Sequence, residues 1–113
     1  MTIYRLTVRH GSSVKRESFD RLEEALGAME ARAEQVRAEG PLEGVKMLRD
    51  FEPKARVAAR IELSTGGWLR GRDAGVDVMG DGSLVPYSGG VRRRELASLP
   101  GESPFEVIRR ELA

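Results

Sequence analysis

Cysteine is absent from the 113 residues, which excludes disulfides, thiol nucleophiles and thiolate-ligated metal sites. Histidine occurs once, at His10, so no site that needs two imidazoles can form. Asparagine is missing as well. That removes the acceptor for N-linked glycosylation and the side chain best shaped for bidentate adenine readout. Lysine is scarce: Lys15, Lys46 and Lys54 are the only three, and arginine supplies the rest of the 19 basic residues. The bias fits a GC-rich coding sequence; the shortage of lysine argues against heat adaptation. No run approaches the roughly 18 apolar residues of a membrane span. The opening Met-Thr-Ile-Tyr-Arg alternates and has no apolar h-region, so no signal peptide is expected and the cytoplasm is the expected location.

The glycine-rich phosphate-binding signatures are also missing, and no cofactor is expected. Asp73, Asp77 and Asp81 are spaced by four, and Asp77 with Asp81-Gly82 resembles the opening of a calcium loop. Met79 and Ser88, however, stand where acidic ligands are required. His10 is the only candidate imidazole base, and it lies in a turn-like His-Gly-Ser-Ser stretch with no evident orienting partner. Nothing singles out a catalytic, cofactor or metal site, and the inventory points away from an enzyme.

What remains is a chain of about one domain, 40% hydrophobic, and a single α+β domain over 1–113 is expected. Residues 3–9 alternate apolar and polar, as a strand does, and 14–19 can return as a hairpin partner. Leu22, Leu26, Met29, Ala33 and Val36 form one stripe of a helix over about 20–39, with Asp20 and Glu23 as its capping pair. Residues 42–52 fit a short helix or a strand equally well. Val57, Ala59, Ile61 and Leu63 mark a half-buried strand. Further strands follow around Trp68, Val76 and Leu84, with a tight turn at Asp81-Gly82. Pro86 suggests an edge strand. Residues 88–102 read as loosely structured, and Ser103-Pro104-Phe105-Glu106 caps a short helix over about 104–112. Strands and helices are segregated, which predicts a mostly antiparallel sheet of four to six strands.

Net charge is only +1, but it is unevenly spread. Residues 1–16 hold Arg5, Arg9, Lys15 and Arg16 and no acid, whereas the long helical segment is acidic. An arginine-rich sheet face would draw on Arg5, Arg9, Arg56, Arg60, Arg70 and Arg72. With the run Arg92-Arg93-Arg94, it would suit nucleic-acid phosphates. The leading expectation is a non-catalytic protein-interaction domain that forms a homodimer. Its docking surfaces would be the amphipathic helix and an edge strand, with Phe51, Trp68 and Tyr87 as interface anchors. Nucleic-acid binding through Arg56, Arg60, Arg70, Arg72 and Arg92–Arg94 is the alternative.

Overall fold

The computed structural model describes residues 3–39, 57–66, 72–89 and 93–112. The chain order is β1 (Tyr4–His10), β2 (Ser13–Phe19), α1 (Leu22–Ala38), β3 (Val57–Thr65), β4 (Arg72–Met79), β5 (Leu84–Ser88), β6 (Arg94–Glu95) and α2 (Pro104–Leu112). The strands form one six-stranded sheet in the order β2-β1-β3-β4-β5-β6, and every neighbouring pair is antiparallel. This is the expected α+β architecture.

Period-two alternation decides which residues enter the core. Leu6 and Val8 of β1, Ala59, Ile61 and Leu63 of β3, and Ala74, Val76 and Val78 of β4 all point to one face and are buried. On that face α1 lies over β1 and β3, and α2 lies over β4 and β5. The helices contribute Ala25, Leu26, Met29, Ala33 and Val36 from α1, and Val107, Ile108 and Leu112 from α2. Leu22 is half-buried and packs against the same core. Val57, expected on the core face, is instead 43% exposed. The register shifts between Val57 and Ala59, and such a bulge turns the first residue of the strand away from the core.

The turns follow from their residues. Gly11 has φ 61 and opens the two-residue β1–β2 loop, as a Gly-first hairpin turn requires. The β4–β5 loop has three residues rather than two: Gly82 donates to the Met79 carbonyl at 2.9 Å, and Met79 N–H donates to Ser83 at 2.8 Å. Gly82 takes the left-handed position, φ 89, and Asp81 accepts from the Ser83 amide at 2.9 Å. Pro86 does not lie on the outermost strand, because β6 pairs with β5. Its carbonyl accepts from Leu96 N–H at 2.9 Å, so its missing N–H faces that outer side, where β4 asks for no donor.

The two predicted caps differ in outcome. Ser103 Oγ accepts from the Glu106 amide at 3.2 Å, capping α2 with Pro104 at its first position. Asp20 does not cap α1: the helix starts one residue later, its N-cap is the extended Arg21, and no side chain bonds the cap. Glu23 and Glu24 in the first turn still complement the helix dipole. Ser103→Ala is therefore expected to cost about 1 kcal/mol of stability. Asp20→Ala should stay within about 0.5 kcal/mol of wild type. Urea denaturation of the two variants checks the contrast.

Candidate docking surface on the open sheet face

The alternate residues of the strands share the opposite face of the sheet, away from the two described helices. The register groups them in rows. Arg5 is paired with Ser18 and Ser64, and Ser64 with Asp73. Thr7 is paired with Arg16 and Glu62, Glu62 with Gly75, and Gly75 with Tyr87. Arg9 is paired with Val14 and Arg60, and Arg60 with Asp77.

A polar cluster occupies the β3–β6 half. Asp77 is 3% exposed, and each of its carboxylate oxygens takes one guanidinium. Arg60 Nε donates to Oδ1 at 2.9 Å, and Arg93 pairs with Oδ2. Burying a carboxylate is costly unless such partners are present. Tyr87 is 1% exposed and lies flat enough for both arginines to approach its ring, Arg93 at 4.2 Å and Arg60 at 5.6 Å from the centroid. Its hydroxyl donates to Glu62 Oε2 at 2.8 Å. Burial, and then Glu62, push the phenol pKa well above its ordinary value. Burial and the neighbouring Arg60 pull Arg93 below the usual guanidinium range.

The ring fits only because residue 75 is glycine. A Cβ there would stand 2.6 Å from both the Ile61 carbonyl oxygen and the Tyr87 hydroxyl. Beside this cluster, Glu62 and Asp73 are half-buried and have no ion-pair partner among the described residues. Burial and the nearby Glu62 raise the Asp73 pKa.

The β1–β2 half is the reverse. Arg5, Arg9 and Arg16 are exposed there, and among the described residues that half has no acid and these arginines form no ion pair. The open face thus has a basic side and an acidic side. No family model, curated protein or solved structure matches the chain. The site therefore has to be read from its own chemistry.

The structure separates the residues that sequence reasoning had grouped. Arg60 and Arg93 come together on Asp77 and Tyr87. Arg72 sits on the helix-bearing face and donates to the Glu111 carbonyl at the end of α2, at 3.4 Å. Arg94 pairs with Ser88 in register and so falls on that side too, opposite to Arg93. Tyr87 is an interior ring under two arginines rather than a surface anchor. Phe51, Arg56, Trp68, Arg70 and Arg92 lie outside the described residues. His10 points toward the helix side and pairs with Glu39 at 3.3 Å. Asp77 is a strand residue held by arginines, and Asp81 supports a turn, so neither continues a calcium loop.

Arg16, Glu62, Asp73 and Gly75 were not among the sequence candidates. The spacing Asp73-Gly75-Asp77 carried the signal, because in a strand these three residues share a face.

Gly75→Ala is expected to lower stability by about 3 kcal/mol, since the Ile61 backbone cannot yield. Urea denaturation reads this directly. Asp73 yields a pH prediction. Its raised pKa means the native state holds the proton longer than the unfolded chain does. Its contribution to stability therefore falls as pH rises above about 4, where an unfolded aspartate ionises. Asp73→Asn should gain on wild type between about pH 4 and pH 7 at low protein concentration. An equal difference at both ends would show that Asp73 titrates alike in both states.

Proposed function

We propose that this chain is a small, non-catalytic, cytoplasmic protein-interaction domain that self-associates through the open face of its sheet. One observation carries the reading: among the described residues the helices pack on one face of the sheet only, and the other face has its arginines and its acids on opposite sides. A solvated sheet face ordinarily alternates its signs and pairs them across strands. Here Arg9 stands directly opposite Arg60, and the acids without an ion pair among the described residues are Glu62 on β3 and Asp73 on β4. Such a surface is complementary to a copy of itself. The stripe of α1 does not compete for this role, because it is spent in the core. A chain without cysteine also has no need of an oxidising compartment.

A second reading has its own observation. Arg5, Arg9 and Arg16 form an exposed basic strip that would suit nucleic-acid phosphates. The acids on the same face count against it, since a polyanion crossing the sheet would meet Glu62 and Asp73.

Sedimentation velocity over a concentration series separates the two. The expected result is a reversible dimer that weakens between about 50 and 200 mM salt. Fluorescence anisotropy with short oligonucleotides over the same salt range should show no tight binding. A monomer at all concentrations, with salt-sensitive oligonucleotide binding, would move the assignment to nucleic acid.

A further inference from the structure

We propose that the open face is a two-fold interface in which Arg5 of each copy completes the Glu62–Asp73 acidic pair of the other. This rests on the self-association reading and specifies its geometry.

Arg5 and Asp73 occupy one row of the sheet, on either side of Ser64 in β3. Two strand spacings, about 10 Å, separate their backbones, and no ion pair joins them within the chain. Stack a second copy face to face, with the two-fold axis running along β3. The rotation exchanges the two sides of the sheet and keeps the height along the strands. β1 of each copy then lies over β4 of the other, and Arg5 meets the second copy's Asp73. The same rotation brings Asp73 under the second copy's Arg5, so one patch makes two equivalent contacts, as an isologous interface requires. An axis across the strands would instead stack β1 on β1 and arginine on arginine. The first arrangement makes the Arg5–Asp73 contact twice, and the residues it lays on their own copies, Arg60 and Glu62 of β3, are already held by Asp77 and Tyr87.

The acid pair is the part of the face with an unmet need. Asp77 already holds two guanidinium groups, whereas among the described residues Glu62 takes a hydrogen bond from Tyr87 but no ion pair, and Asp73 has no ion pair either. Burial, and then the neighbouring Glu62 carboxyl, raise the pKa of Asp73. A cation from a second copy offsets that neighbouring charge. Val14, 43% exposed beside Arg9, adds apolar contact on the same face.

The size of the face sets the strength. Strands about 4.8 Å apart and about 3.3 Å per residue give on the order of 550 Å² per copy. The total, about 1,100 Å², is near the lower limit for a specific interface. A weak, reversible and salt-sensitive dimer is the consequence.

Charge reversal tests the pairing. Arg5→Asp and Asp73→Arg, each alone, replace two attractions by two repulsions and are expected to weaken the dimer at least about tenfold. Mixed in equal amounts, the two variants restore both pairs and should form a heterodimer, and the double variant should dimerise with itself. Arg94→Asp, on the helix-bearing side, should leave dimerisation unchanged.

The cysteine-free chain permits a second measurement should Asp73→Arg fail to fold. Arg5→Cys and Asp73→Cys proteins, mixed, should cross-link through a short bis-maleimide far more than either protein alone. A dimer indifferent to both reversals, or cross-linking no greater in the mixture, would overturn this pairing and leave self-association standing. A wild-type chain that stays monomeric would overturn both. Oligonucleotide binding by a monomer, lost in Arg5→Asp, would overturn both and assign the basic strip to phosphates.

Discussion

One-sided cover of the sheet is the constraint on which the rest of the structure depends. The two described helices pack on the same face, so the pleat sorts the strand residues into two environments. On the covered face the chain can use alanine, valine, leucine and isoleucine without polar partners. On the open face each side chain must reach water or find a neighbour. The alternation of β3 shows both demands in one segment, with Ala59, Ile61 and Leu63 inward and Arg60, Glu62 and Ser64 outward.

The open face nonetheless contains buried groups, and Gly75 explains how. Without a Cβ at that position, the Tyr87 ring drops onto the β3–β4 backbone and reaches Glu62 across it. Arg93 then closes over the ring and reaches Asp77, and Arg60 approaches the same carboxylate from β3. Two cations neutralise one buried anion, and the aromatic face shares the charge. A cluster of this kind rigidifies the β3–β5 surface without a hydrophobic layer above it. It also occupies both arginines on Asp77, and Glu62 and Asp73 form no ion pair among the described residues.

Much of the fold was legible because its signals are local. The stripe from Leu22 to Val36, the alternation of β1 and β3, the Asp81-Gly82 turn and the Ser103 cap each depend on residues within a few positions. Where the reading missed, a non-local contact decided the outcome. Pro86 looks like an edge residue until β6, only Arg94 and Glu95, pairs outside it. Asp20 looks like a cap until the chain leaving β2 sets the helix start one residue later. The site was less legible still. Assigning the strand arginines and the Arg92–Arg94 run to one sheet face joined Arg72 and Arg94 to Arg60 and Arg93, although strand parity and register put the two pairs on opposite faces. Arg16 and Glu62 share a row through Thr7, a relation that exists only once β1 is flanked by β2 and β3.

The sheet edges argue for the face as the place of contact. An exposed edge strand invites a second chain to extend the sheet, and charged side chains along it discourage that. β2 runs Ser-Val-Lys-Arg-Glu-Ser-Phe, with Lys15, Arg16 and Glu17 at its centre, and Glu17 is drawn inward by Arg32 at 2.7 Å. At the other side, β6 is two residues long and both are charged. Neither edge offers a long apolar ladder. The open face, by contrast, combines firmly held groups in its acidic half with arginines in its basic half that form no ion pair among the described residues. Rigid acceptors lose little entropy on docking, and exposed arginines make charge-assisted bonds that neutral groups cannot. In the self-association proposed above, specificity would then come from the charge pattern rather than from the area.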